Sequence, residues 1–284
     1  MGKKMYFFLF LLEFFVWGCS KSKIEADIPA YLSIDSVFVN TNYQTQGSAS
    51  HKITDIWVYL NDDFIGAFEL PVKIPILKQG NHKITIKAGI KVNGIANTRT
   101  AYPFYTEYSQ YIDLEKNKTI DIKPLFTYRP ETIFHWTEDF DLAGISFTYS
   151  NDSDTSFKIV TTPLAFEGTS SGAAYLHNST LKFEAISPIQ INIPRSQKPV
   201  FLELNYKIDQ ILIVGIYFDY PAPANQHSLV YLNPTETWNK IYINLTEKVA
   251  LKPNSPILIF FGLNRNSTDS PANIYMDNIK LISF

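Results

Sequence analysis

"KQGNHKITIKAGIKV", Lys78 to Val92, shows the period on which this chain is built. Gly80-Asn81 is a turn signal. Beyond it, Ile84, Ile86 and Ala88 alternate with Thr85 and Lys87. A spacing of two places the apolar side chains on one face of a strand, whereas a helix needs a period near 3.6. The same spacing continues on both sides. "YLSIDSVFV" (Tyr31 to Val39) and "ITDIWVYL" (Ile53 to Leu60) alternate, and "NDDFIG" (Asn61 to Gly66) reads as a turn between strands. "FELPVKIPIL" leads into the quoted stretch, and "SQYIDLEKNKTIDIKPLF" adds two strands around a turn at Glu115 to Lys118. Roughly seven short strands in about 100 residues predict a β-sandwich.

Arg129-Pro130-Glu131 is the expected seam, because proline interrupts regular pairing. After "FHWTEDFD" the strand pattern resumes. Its members are "FKIVTTPL" (Phe157 to Leu164), "GAAYLHN" (Gly172 to Asn178), "PVFLELNYKI" (Pro199 to Ile208) and "LIVGIYFDY" (Leu212 to Tyr220). "WNKIYINL" (Trp238 to Leu245), "PILIFFGLN" (Pro256 to Asn264) and "NIYMDNIKLISF" (Asn273 to Phe284) complete it. The expected fold is all-β in two parts, a β-sandwich over residues 29–128 and a second strand-rich domain over 129–284.

Composition agrees with a folded, β-rich body. Aromatic residues are 15% of the chain, charged residues 18%, and the net charge is −2. That gives ample material for a core and too little positive charge for a nucleic-acid footprint.

Two resemblances refine the fold. Asp55 to Gly89 resembles a PEGA-type or related Ig-like module, with an Asn/Asp-rich turn, a proline-containing segment, and Leu77, Gly80, His82, Ile84 and Ile86 in an L-x-x-G-x-H-x-I-x-I order. Such modules are non-catalytic spacers and interaction domains. The second half resembles a galactose-binding-like jelly roll, the fold of many carbohydrate-binding modules. Glu138 to Phe140, "SSGAAYL" from Ser170, "TWNKIYINL" from Thr237 and "YMDNIKL" from Tyr275 carry this resemblance.

The single cysteine speaks to location. Lys3 and Lys4 precede the apolar run Met5 to Trp17, and Gly18-Cys19 follows. Thirteen apolar-run residues are too few for a spanning helix, which needs about 20. A basic start and a short apolar run form a secretory signal. Its end resembles the lipobox of bacterial lipoproteins, with departures at Glu13 and Trp17. This implies a signal peptide over residues 1–18, a lipid on Cys19 and a tether over 19–28. The whole chain resembles a Bacteroidota outer-membrane lipoprotein. Ser20-Lys21-Ser22-Lys23 lacks the acidic residues that follow the cysteine in surface-exported relatives. The short tether favours docking beside a membrane protein, and the outer face of the cell is the expected location.

Candidate chemistry is sparse. "GTSSG" (Gly168 to Gly172) fits the spacing of a serine hydrolase elbow, but that elbow needs a helix after Ser170, and "AAYLHN" reads as strand. His51, His82, His135, His177 and His227 show no metal-ligand spacing, and phosphate-binding loops are absent. No enzymatic activity is expected. The jelly-roll resemblance implies a structural Ca2+ held by Glu138, Asp139 and Asp277, with carbonyls near Gly168 to Ser171. The plainer alternative has Asp277 bonding a loop and the other two solvated. Trp238 occupies a core position of the jelly-roll pattern, and Trp57 lies within a strand. Trp136, Tyr217, Tyr220 and Tyr231 remain as aromatic candidates for a sugar site. The first reading is an accessory subunit of an outer-membrane protein complex, anchored in the membrane through Cys19. The alternative is a glycan-binding surface lipoprotein.

Overall fold

The computed structural model describes residues 27–141, 144–188, 190–191, 198–220, 225–252, 255–265 and 270–284. Cys19, the expected signal peptide and most of the expected tether lie outside the described residues. Within them the protein is all-β, built from two β-sandwiches. Among the described residues the helices are α1 (Tyr43–Gln46) and α2 (Thr246–Ala250), and neither is long and apolar enough to cross a membrane.

The N-terminal sandwich uses β1 (Ala30–Ile34) to β10 (Leu125–Thr127). One layer is β5 (Val72–Ile76), β1 and β9 (Thr119–Asp121), with β1 and β9 parallel. The opposite layer orders β4 (Asp63–Glu69), β3 (Asp55–Leu60), β6 (Gly80–Lys91) and β7 (Arg99–Ala101), with β8 (Tyr108–Leu114) also paired to β6. A short pair, β2 (Phe38–Asn40) and β10, closes one end. The alternation of Lys78–Val92 becomes β6, whose Ile84, Ile86, Ala88 and Ile90 are buried against Leu32, Ile34, Ile74 and Ile76. The expected turn at Asn61 to Gly66 is shorter than predicted. Asn61 and Asp62 take the left-handed conformation, with φ of 50° and 71°, and pairing resumes at Asp63. Asparagine and aspartate tolerate that conformation, so two residues are enough for the hairpin.

The jelly roll uses β11 (Ile133–Glu138) to β21 (Ala272–Ser283). One sheet orders β13 (Lys158–Thr161), β14 (Ser170–Leu176), β21, β16 (Val200–Ile208) and β19 (Asn239–Asn244), with β11 on the free length of β21. The other orders β12 (Thr148–Tyr149), β15 (Lys182–Ile186), β20 (Ile257–Asn264), β17 (Leu212–Phe218) and β18 (Gln226–Leu232). Leu202, Leu204, Ile274, Met276 and Ile279 meet Phe183, Val214, Ile216, Ile259 and Phe261 in the core between these sheets.

The outward face of β16, β19 and β21 is covered at one end by the N-terminal sandwich. Phe201, Tyr242 and Ile282 belong to the N-terminal core. Between the two halves lies a buried polar group. Glu203 Oε1 accepts the hydroxyls of Tyr102 (2.7 Å) and Tyr128 (2.8 Å). Lys240 Nζ stands 3.1 Å from Glu203 Oε2, a charge contact rather than an aligned hydrogen bond. Lys280 donates to the Ser48 carbonyl at 2.5 Å.

Candidate functional site

The same outward face of β16, β19 and β21 continues beyond the N-terminal sandwich, and there it is open. Strand alternation decides which residues it carries. On β16 the odd positions Phe201, Glu203, Asn205 and Lys207 point away from the core that holds Leu202, Leu204 and Tyr206. Register brings Lys207 opposite Tyr275 on β21, and Asn205 opposite Lys240 on β19. Tyr175 of β14 stands beside Tyr275, and Trp238 leads into β19.

These positions assemble a row of half-buried rings. Phe166 and Trp238 have centroids 5.3 Å apart, Trp238 and Tyr275 6.3 Å, and Tyr275 and Tyr175 6.0 Å. His177 stacks on Tyr175 at 5.8 Å. Burial, followed by the neighbouring Tyr175 hydroxyl, pushes the Tyr275 phenol up to about 12, so it stays protonated at neutral pH.

The row opens onto a cleft where the two halves meet. A volume of about 550 Å3 is lined by Ser50, His51, Lys52, Phe166, Asn205, Thr235, Thr237, Trp238, Asn239 and Lys240. A second cleft of about 270 Å3 adjoins it, shares Lys52, Thr235, Asn239 and Lys240, and adds Lys91, Asn93, Tyr206 and Tyr231. The walls are held by bonds across the junction. Ser50 Oγ donates to Asn205 Oδ1 at 3.0 Å, and the Lys52 amide donates to the Tyr242 hydroxyl at 2.9 Å. Lys52 Nζ donates to Asn239 Oδ1, while Asn239 Nδ2 donates to Tyr206 at 2.9 Å. The result is an open trough with aromatic surface at one side and amide, hydroxyl and ammonium groups at the other.

The residues nominated from sequence fall in different places. Trp136 is a core residue, 5% exposed, with its indole N–H donating to Ser146 Oγ at 3.1 Å. Its ring lies within the core rather than at the surface. Tyr217 and Tyr220 do meet, edge to face at 5.1 Å, on the outer side of the other sheet. Tyr217 is buried and donates to Glu184 Oε1 at 3.1 Å. Tyr231 is 60% exposed and lines the smaller cleft. Trp238, expected in the core, lies at the junction instead. The alternation of "TWNKIYINL" places Trp238 with Lys240 and Tyr242, opposite Ile241 and Ile243, and that parity was the available signal.

The three residues expected to hold calcium each have hydrogen-bonding partners of their own. Among the described residues, no group of three or more His, Cys, Asp or Glu side chains is placed to hold a metal ion. Glu138 accepts the amides of Phe140 (2.9 Å) and Ser146 (2.7 Å). Asp139 accepts from Tyr43 (3.0 Å) and the Asp141 amide (3.1 Å), and Asp277 from Ser171 Oγ (2.6 Å) and the Asn278 amide (2.7 Å). Their oxygens are turned to separate N–H and O–H donors, so the donor set does not fit an ion. Asp141, which the sequence reading passed over, anchors the 168–171 loop by accepting the Thr169 and Ser170 amides at 2.9 and 2.7 Å. Ser170 opens β14, and its hydroxyl bonds Phe140 O (3.0 Å) and Asp141 (3.0 Å). A strand follows it, so the nucleophile elbow is not formed.

No family model matches this chain, and no curated protein does. It is distantly similar to solved β-sandwich structures. One is described as "the carbohydrate-binding modules from the beta-sandwich super family", at 14% identity and TM-score 0.37, covering 80% of this chain and 84% of that one. The K2 cleaved adhesin domain of Lys-gingipain shows 12% identity and TM-score 0.37, over 51% of this chain and 98% of that domain. The family 11 carbohydrate-binding module of Clostridium thermocellum, in complex with a mixed-linked tetrasaccharide, shows 12% identity and TM-score 0.36, over 52% and 95%. The similarity is one of strand layout and assigns no ligand.

Proposed function

We propose that this protein is a non-catalytic, glycan-binding surface lipoprotein, and that the glycan lies along the outward face of the jelly roll. The observation that carries this reading is the open row Phe166, Trp238, Tyr275 and Tyr175 beside a polar cleft. Sugar rings have apolar C–H faces that pack on aromatic rings, and a rim of hydroxyls that need hydrogen-bonding partners. The trough supplies both, with Asn239, Thr237 and Ser50 within its walls. The accessory-subunit role has no comparable feature among the described residues, so its alternative takes precedence.

Trp238→Ala tests the reading. Affinity electrophoresis through gels containing soluble polysaccharides should show retardation of the wild-type protein. The variant should keep its melting temperature and bind about tenfold more weakly, roughly 1.5 kcal/mol. Wild-type mobility that no polysaccharide changes, or equal retardation of the variant, overturns it.

The location in this proposal rests on the sequence around Cys19. Cys19→Ser should release the protein from the membrane fraction, and labelled palmitate should mark only the wild type. Proteinase K added to intact cells should digest it. Protection until lysis would place it on the periplasmic side.

A further inference from the structure

The charge of the paired clefts is one-sided. Lys52 and Lys91 line them with Lys240, whose ammonium is buried against Glu203, and no Asp or Glu is among the described lining residues. The carboxylates that approach these lysines are shared with other groups. Glu69 lies 3.6 Å from Lys91 but is also bound by Arg99 at 3.0 Å. Glu203, beneath Lys240, also accepts two tyrosine hydroxyls. Lys52 is turned to the Asn239 amide oxygen rather than to a carboxylate.

Burial, and to a smaller degree like charge, lowers the basic groups of the cleft. Burial, then the charge of Lys91, holds the Lys52 ammonium below the usual lysine range. Burial, then Lys240, lowers His51. An anion seated among such groups relieves both their desolvation and their mutual repulsion. Lys207 carries the same sign along the ring row, with its ammonium 5.9 Å from the Tyr275 centroid.

We infer that the ligand of the trough is an acidic glycan, whose carboxylate or sulfate groups enter the cleft at Lys52 and Lys91 while its sugar rings lie on Trp238 and Tyr275. This inference rests on the glycan-binding reading and narrows it to a charge class. It explains why a protein of slightly negative net charge keeps carboxylates out of this trough. Neutral sugar hydroxyls need no such asymmetry, since they bond amides and carboxylates equally well.

The test compares each sugar backbone with and without its charge. Polygalacturonate is set against its methyl ester, and dextran sulfate against dextran, in affinity gels at low and raised salt. The wild type should bind an acidic member at least about tenfold more tightly than its neutral counterpart, with the preference shrinking as salt rises. The acidic member that binds identifies carboxylate or sulfate as the recognised group. Lys52→Gln with Lys91→Gln should remove the preference, and Trp238→Ala should weaken binding of the same glycan. Equal binding of neutral and acidic forms, unchanged in the double lysine variant, overturns the acidic class and leaves glycan binding standing. Retardation by none of these polymers or any neutral polysaccharide overturns both. Polyglutamate is the non-sugar control. Binding to it as strong as to the acidic glycans and insensitive to Trp238→Ala overturns the inference, because the clefts would then be only a charged surface.

Discussion

Asp277 is 1% exposed, on the outward side of β21, and its neighbours Glu167 and Asp141 repel its charge. Burial is the larger influence, and against the opposing bonds from Ser171 and Asn278 it pushes the carboxyl up to about 7. The sign of the consequence follows from linkage. The folded state holds a proton that the unfolded chain releases near pH 4, so stability falls as pH rises from about 4 to about 7. Asp277→Asn keeps Oδ1 as acceptor for the Asn278 amide, turns its NH2 to the Ser171 hydroxyl oxygen and removes the charge. It should stabilise the protein at pH 7 by on the order of 1–3 kcal/mol and flatten the pH profile across that window. Denaturant melts at several pH values check this, and a variant less stable than wild type at pH 7 would refute the assignment.

The scale of single strands explains how the trough comes to exist. Met276 and Ile279 both face the core although three positions separate them, which an unbroken strand forbids. A bulge resolves it. Asn278 takes φ 50°, and β21 advances three residues, Asp277 to Lys280, while β16 advances two, Asn205 to Glu203. Beyond the bulge, Lys280 and Ile282 point at the N-terminal sandwich; before it, Tyr275 points into the open row. The spacing was visible in "YMDNIKL" as a break in alternation. A second close approach lies at β17, where register shifts between Val214 and Gly215. A Cβ on Gly215 would stand 2.3 Å from the His227 carbonyl oxygen and 2.4 Å from the Phe260 ring. Backbone on one side and a packed ring on the other leave no room to yield. Gly215→Ala should therefore cost on the order of 1–3 kcal/mol, read from the denaturant midpoint. A midpoint shift near zero would mean that β17 and β18 separate easily.

At the scale of the whole molecule, the buried group around Glu203 ties the two sandwiches together. Desolvation opposes the Glu203 charge, but Lys240 and Lys280, with the tyrosine hydroxyls of Tyr102 and Tyr128, hold it below the ordinary carboxyl range. Burial meanwhile drops the Lys280 ammonium to about 7, despite the attraction of Glu203. Such a group is satisfied only when the two halves sit in one arrangement. Glu203→Leu leaves Lys240 and two hydroxyls buried without their partner and should cost about 3–5 kcal/mol. Adding Lys240→Met should recover part of that loss, because the stranded cation is gone. Strictly additive losses in the double variant would show that the pair is not coupled. Since Ser50, His51 and Lys52 come from one half and Trp238 and Asn239 from the other, Glu203→Leu should also weaken glycan binding.

Strand identity was legible in the sequence because it depends on neighbours two residues apart. The alternation of Lys78–Val92 became β6, and "PVFLELNYKI" and "LIVGIYFDY" became β16 and β17 almost to the residue. The β-rich class followed from the same period. What the period leaves open is which face of a sheet meets what. Trp136 and Trp238 stand in similar alternating stretches, yet one is sealed by Phe147 and Ser146 and the other opens on a cleft. Lys240 and Lys280 look solvated by composition and are buried by a second sandwich. Glu138, Asp139 and Asp277 share a chemistry and are turned to different partners. The burial of Lys240 and Lys280 depends on contacts between residues far apart in the chain, such as Ser48 with Lys280. Local spacing determined the strands, and only tertiary packing, through desolvation and the docking of the two sandwiches, decided which side chains remain at the surface to meet a ligand.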